Sequence, residues 1–317
     1  MMFLGIDTSA YTSSAAVVDD NKQVVWEYRR LLEVSAGERG LAQSEALFQH
    51  VQVLPEIIAM MPSTYWSEIQ GVGVSSAPRP VSGSYMPVFT AGMAIAASIA
   101  AALRVKLFQT SHQEGHLAAG IRSAEGLMAE EFLAVHLSGG TTEVLIVKKS
   151  EPGRYDLQIL GESNDLHAGQ FIDRIGVSMG LSFPAGKELE RLALKAAPGS
   201  ASLLPSSVKG YEMSFSGVET AVQRMIQANK RSSDLARAVE GCIVRTLAKV
   251  LEKAVKETGL ENILVVGGVS ANQYIRTELA RKLSQCSRLF WAKTEWCSDN
   301  AMGVAILTQE ALGHRNS

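Results

Sequence analysis

Apolar residues open the chain in a short run, pause at a small polar turn and resume, and the same rhythm returns past its first third. Phe3–Val18, FLGIDTSAYTSSAAVV, and Phe132–Val147, FLAVHLSGGTTEVLIV, align without a gap, with Phe, Leu, Ser, Thr and Val recurring at matching places. Each segment predicts a strand, a tight turn and a second strand. KQVVWEYRR (Lys22–Arg30) and YDLQILGES (Tyr155–Ser163) supply a third strand after each copy. Helical spacing of apolar residues follows over Ala42–Met61, from Asp173 to Gly180, and over Asp234–Thr258, with Ser233 as the expected start cap and Gly259 as the end. ENILVVGGVSANQYIRTEL then reads as strand, glycine turn and helix. The pattern predicts an α/β chain of two duplicated lobes. The first covers residues 1–120 and is completed by a C-terminal helix over 297–317; the second covers 121–296.

One charge-free run, Ser82–Leu103, reaches the length of a membrane span. It contains Pro87 and Gly92 and is mostly alanine, so a buried helix packed through small residues is the expectation. With 46% hydrophobic and 20% charged residues, the composition is that of a globular protein. A net charge of −2 leaves any nucleic-acid partner to a local patch or a helper protein. The basic doublets Arg29/Arg30, Lys148/Lys149 and Lys230/Arg231 read as solvated surface. The three cysteines, Cys242, Cys286 and Cys297, form no CxxC pair, which argues against structural zinc and disulfides and for a reducing cytoplasm. No basic segment followed by an apolar one marks a secretory leader at the N-terminus, and nothing points to a membrane or to DNA.

Three elements can carry chemistry. The two Ser/Thr/Gly turns present backbone N–H groups and hydroxyls suited to phosphate oxygens, and two of them facing each other would clamp a nucleotide; each alone is an ordinary hairpin turn. Gly267 and Gly268 close an apolar strand just before a helix, where a flat base or ribose can lie against backbone. His112 and His116 stand four positions apart, on one helix face, and could share an ion or be two structural polar residues. Glu114 lies on roughly the opposite face, which disfavours a metalloprotease. A third ligand would have to come from elsewhere; Asp299 is the best candidate, and either it or Ser298 could instead cap a C-terminal helix. Cys297 reads as a buried thiol.

Seven segments in order resemble the TsaD family, also called Gcp or YgjD: LGIDTS, SHQEGHLAA, LSGGTTEVLIV, GQFIDRIGVSMGLSFPAG, MSFSGVETA, VVGGVSAN and CSDNAMGVA. The resemblance spans essentially the whole chain. It implies an actin-like ATPase fold of the kind shared with sugar kinases and heat-shock chaperones, with a nucleotide cleft between two lobes. It implies transfer of a threonylcarbamoyl group from threonylcarbamoyl-AMP to the exocyclic amine of an adenosine beside the anticodon of tRNA. Position by position, His112, His116 and Asp299 would hold one divalent metal ion, iron or zinc. His136, Leu137, Ser138, Gly139 and Gly140 would form the phosphate-facing turn. Asp173, Gly186, Gly267, Gly268 and Asn272 would meet the nucleotide, and Asp7 and Ser9 would stand at the reacting group. TsaB- and TsaE-like proteins, or a second copy, would be partners beside the tRNA.

The chain departs from the family pattern on the acceptor side. SAYTSS (Ser9–Ser14) lacks the two acids of S-C-D-E-T, so Tyr11 and Thr12 stand where carboxylates are usual. Gln43, Ser44 and Glu45 replace an R-x-H element; SSAPRPVSGSY (Ser75–Tyr85) replaces a G-P-G loop; Thr141 stands where S-G-G-H-T has its histidine; Ala185 replaces a glycine. These departures point to a divergent paralogue that keeps nucleotide and metal binding, with three readings open: weak transfer, a non-catalytic or regulatory role, or a carbamoyltransferase with a different acceptor.

Overall fold

The structure is a computed structural model and describes residues 1–9, 11–34, 41–297 and 301–313. The first half runs β1 (Met2–Thr8), β2 (Thr12–Asp19), β3 (Val24–Leu31), α1 (Gln43–Ala59), β4 (Ile69–Ala77), α2 (Phe89–Leu103), β5 (Lys106–Ser111) and α3 (His112–Ser123). The second runs β6 (Glu131–Leu137), β7 (Thr142–Lys149), β8 (Tyr155–Glu162), α4 (Ala168–Ser178), α5 (Gly186–Ala193), the short pair β9 (Val208–Lys209) and β10 (Glu212–Met213), α6 (Ser216–Gln227), α7 (Ser232–Thr258), β11 (Asn262–Val266), α8 (Gln273–Leu283) and β12 (Arg288–Trp291). Helix α9 (Met302–Gly313) follows.

The sequence repeat becomes a repeat of topology. One five-stranded sheet has the order β3-β2-β1-β4-β5, and the other, read from its matching edge, has β8-β7-β6-β11-β12. In each, the hairpin strands pair antiparallel and the last two strands join parallel. Parallel neighbours need crossover helices, which is why both sheets are covered on both faces and their inner strands are buried, while the edge strands β3 and β8 stay partly exposed. Leu4, Ile6, Ala15, Val17, Val72 and Val74 face α1 and α2. Leu133, Val135, Leu137 and Val144 face the helices of the second half, with α7 at the centre.

The two remaining faces enclose α3 and α9. Leu117 of α3 packs with Phe132, Ala134, Leu145 and Leu264 of the second sheet. Phe3 and Val18 of the first sheet pack with Ala305 and Ile306 of α9. The two helices cross closely: a Cβ on Gly303 would stand 1.8 Å from the Gly115 carbonyl oxygen, so glycine is required there.

Two local expectations change. Helix α7 begins at Ser232 with Arg231 as a cap that makes no side-chain bond, and Ser233 is buried inside the first turn, because its small side chain packs inward. The other end holds: Gly259 closes α7 at φ 73°. The alanine-rich run forms α2 only from Phe89, and it is not buried all round. Phe89, Ala91, Gly92, Ala96 and Ala100 pack inward, while Ala94, Ala97, Ser98 and Ala101 are exposed. No helix among the described residues is long and apolar enough to cross a membrane.

A candidate nucleotide and metal site

The histidine pair is positioned by a capping box. Ser111 Oγ accepts from the Glu114 backbone N–H at 3.2 Å, and Glu114 Oε2 accepts from the Ser111 backbone N–H at 2.9 Å. Thr110 Oγ1 donates to the same carboxylate oxygen at 2.9 Å. These bonds start α3 at His112 and use Glu114 as a buried structural acid. His112 and His116 therefore fall on successive turns of one face, with their Nε2 atoms 3.1 Å apart. Two nitrogens at about 2.0–2.1 Å from one ion stand about 2.9–3.4 Å apart, so the pair suits a shared ion.

Asp7, at the end of β1, is fully buried and faces His112. Both carboxylate oxygens lie 3.1 Å from His112 Nδ1. Ser75 Oγ of β4 donates to Asp7 Oδ1. A carboxylate accepts, so Nδ1 carries the hydrogen, and the neutral imidazole that a metal ion requires would then turn its Nε2 lone pair toward His116. This is the outer-sphere arrangement that orients metal-ligating imidazoles. The β6 residue His136 joins the cluster, its ring centre 4.8 Å from that of His116. Among the described residues, no group of three or more His, Cys, Asp and Glu side chains stands in a metal-holding arrangement. Asp299, the expected third ligand, lies outside the described residues, as does its alternative role as a helix cap.

The second hairpin turn is open where the first is filled. A Cβ on Gly139 or Gly140 would meet nothing within 4 Å. Ser138 N–H donates to the Thr141 carbonyl at 2.8 Å and the Gly140 N–H to Ser138 Oγ at 3.3 Å, which closes the turn. Helix α4 starts directly against it: the Gly169 N–H donates to the Ser138 carbonyl at 3.1 Å and the Ala168 N–H to Thr142 Oγ1 at 2.8 Å. The positive end of a helix thus lies beside an open turn, an arrangement that favours an anion. Leu137 contributes backbone only, since its side chain is in the core. Gly267, at φ 93°, abuts it: a Cβ there would stand 2.3 Å from the Leu137 carbonyl oxygen.

The remaining candidates split. Asp173 Oδ1 accepts from the Ala185 N–H at 2.8 Å just before α5, and burial pushes its carboxyl up to about 6. Gly186 and Gly268 are open above their backbones. The side chain of Asn272 is already engaged: Oδ1 caps α8 by accepting from the Ile275 N–H at 2.9 Å, and Nδ2 donates to Glu240 at 2.7 Å. Burial raises the Glu240 carboxyl to about 7. Ser9 is buried, and its Oγ finds no hydrogen-bond partner among the described residues. Cys297 is buried as expected, with its Sγ near Ser270 Oγ at 3.2 Å.

Several side chains that were given no place in the expected site take part. Tyr11, standing where an acid is usual, reaches across to Phe183 of the second half, ring centres 5.5 Å apart. Burial raises its hydroxyl, opposed by a hydrogen bond to the Leu41 backbone. Behind the first turn, Ser13 Oγ and His50 Nδ1 are 2.7 Å apart, both fully buried. Arg79, Gln113 and Glu143 form a further cluster beside the second turn. Glu143 had a legible signal: it is the one acid in β7 and directly precedes the apolar run Val144–Val147.

Solved structures share this architecture. Over 99% of this chain and 96% of the other, it resembles the activator of the 2-hydroxyisocaproyl-CoA dehydratase from Clostridium difficile with bound ADPNP (TM-score 0.55, 16% identity). HypF of T. kodakarensis matches 99% of this chain with 48% of its own (TM-score 0.63, 15% identity). A ROK family glucokinase from Streptomyces griseus, in complex with glucose and AMPPNP, matches 98% of this chain and 99% of its own (TM-score 0.53, 13% identity). At these identities the likeness concerns the fold, which is that of the actin-like ATPases. The family model described as TsaD, tRNA N6-adenosine threonylcarbamoyltransferase, matches residues 34–306, and the chain belongs to that family.

Proposed function

We propose that the chain transfers a threonylcarbamoyl group from threonylcarbamoyl-AMP to the exocyclic amine of an adenosine beside the anticodon in tRNA, with release of AMP. The observation that carries this reading is the convergence of His112 and His116 Nε2 at 3.1 Å on an α/β frame whose second hairpin turn is open. One divalent ion, iron or zinc, held by His112, His116 and Asp299 would neutralise phosphate charge and polarise the carbamoyl carbonyl.

The chain's own groups do the rest. The open turn at Gly139 and Gly140, with the positive end of α4 beside it, takes the adenylate phosphate and stabilises departing AMP. Asp173 meets ribose hydroxyls with its carboxylate, which accepts their hydrogen bonds. Asp7 acts through His112 by holding its tautomer, and Ser9 offers an uncommitted hydroxyl nearby. The acceptor adenosine must be splayed from its loop to be reached. With a net charge of −2, much of the tRNA surface falls to TsaB- and TsaE-like partners or a second copy. The three free cysteines support placing this work in the cytoplasm.

A second reading, nucleotide binding without turnover, is favoured by Tyr11, which stands where an acid is usual and packs edge-on against Phe183. The deciding experiment gives the purified protein threonylcarbamoyl-AMP, a tRNA transcript and the family's partner proteins. Modified adenosine with stoichiometric AMP supports the transferase. Nucleotide binding by calorimetry with no modification supports the second reading.

A further inference from the structure

An ion pair between half-buried Arg79 and fully buried Glu143 joins the two halves of the molecule beside the site. Arg79 lies in the loop after β4, and that loop is pinned to the start of α3, where the Gln113 N–H donates to the Pro78 carbonyl at 3.0 Å. The loop is braced internally by the Arg79 N–H donating to Ser84 Oγ at 3.0 Å. From this base Arg79 extends to the second sheet. It pairs with Glu143 of β7 and, at 3.5 Å, with Glu162 of β8. Gln113 Nε2, one residue beyond His112, donates to the same Glu143 at 2.6 Å.

Glu143 is the centre of the arrangement. Its side chain is fully buried, and it stands directly opposite His136 in the β6–β7 register, as the second residue of β7 after the open turn. Burial pushes its carboxyl upward while the Arg79 guanidinium pulls it back. A buried carboxylate is tolerated when paired, and separating the pair leaves an uncompensated charge in the interior. The halves therefore cannot move apart along this line without exposing or stranding Glu143. Tyr11 and Phe183 make a second, independent contact between the halves.

We propose that Arg79 and Glu143 form a strap across the cleft that sets the spacing between the paired imidazoles on α3 and the phosphate-facing turn. Arg79 is a positioning residue: it touches neither the imidazoles nor the turn, and acts through Glu143 and Gln113. The kinetic part of the inference rests on the transferase reading; the geometric part does not.

The test uses the full chain with nitroxide labels at Glu68→Cys and Lys256→Cys, one exposed site on each half, in a Cys286→Ser background. Electron-resonance distances should be narrow in this parent and broaden to longer values in Arg79→Ala and Glu143→Gln. Arg79→Lys should fall between. The apolar pair Arg79→Met with Glu143→Met relieves the stranded charge, so it should regain thermal stability while keeping the broad distribution, which a merely structural ion pair would not produce. In the transfer assay, Arg79→Ala should lower kcat about tenfold or more with the donor KM nearly unchanged, as expected for lost positioning. An unchanged distance distribution in all four variants overturns the strap, and so does full kcat in Arg79→Ala. Broadened distances in a protein whose parent transfers nothing would sustain the strap and sink the transferase reading instead.

Discussion

The two hairpin turns share a backbone plan and differ in what fills them. The β1–β2 turn is packed with side chains: Asp7 against His112, Ser13 against His50, and Tyr11 reaching to Phe183. The β6–β7 turn is built on Gly139 and Gly140, with nothing above either Cα. Duplication supplies the same strand–turn–strand frame twice, and side-chain volume then decides that one copy holds an ion-side network while the other leaves room for a ligand. Substitutions can break or sharpen that contrast.

The largest effect is expected at His116→Ala, which removes one of the two converging nitrogens. AMP release should fall about 100- to 1,000-fold, and metal analysis of the purified protein should show substoichiometric ion; full activity would remove the imidazole pair from the mechanism. Asp7→Asn keeps shape but lets the amide present its NH2 to His112. Metal affinity or transfer rate should drop about 10- to 100-fold, read by chelator competition. On the open side, Gly140→Val should leave the melting temperature of the ligand-free protein nearly unchanged. Its nucleotide affinity should weaken about tenfold or more by calorimetry, because the side chain fills ligand space rather than core. A large loss of stability instead would mean that the turn is packed and not a site.

Two further substitutions probe charges. The carboxyl of Asp173 is raised to about 6 from its ordinary 3.8, so the folded state holds a proton that the unfolded state has lost. The stability it contributes is present below about 3.8 and is lost as pH rises through about 6, leaving a cost of about 3 kcal/mol at pH 7.5. Asp173→Asn should therefore raise the denaturation midpoint at pH 7.5 and hardly at all at pH 4, while weakening nucleotide binding. His50 is displaced the other way, lowered by burial. Its contribution is complete above about 6.5 and is lost as pH falls through its folded value. His50→Gln should flatten the decline in stability between pH 7 and 5.5 by up to about 1 kcal/mol, the smallest of these effects. Some slope should remain, because burial and Arg79 lower His167 as well.

The periodic segments were readable because they answer to local rules. The doubled hairpin, the end of α7 at Gly259 and the strand before Gly267 depend on apolar alternation and on glycine at a left-handed position. The start of α3 was equally local: Ser111 and Glu114 spell a capping box, and that box aligns His112 with His116. Where a side chain's partner lies far along the chain, the sequence offered only an anomaly, such as a lone acid in β7 or a histidine in the inward face of α1.

What the sequence by itself determined is the element pattern, the duplication, the family and the pairing of two imidazoles on one helix turn, since all of these follow from spacing along the chain. Only the tertiary structure decided that Asp7 orients His112 across 105 positions, that Tyr11 meets Phe183, that Asn272 is spent on Glu240, and that Arg79 reaches Glu143. The physical reason is that burial and charge pairing are properties of neighbours in space, and packing two sheets around α3 and α9 brings together residues that no periodicity relates.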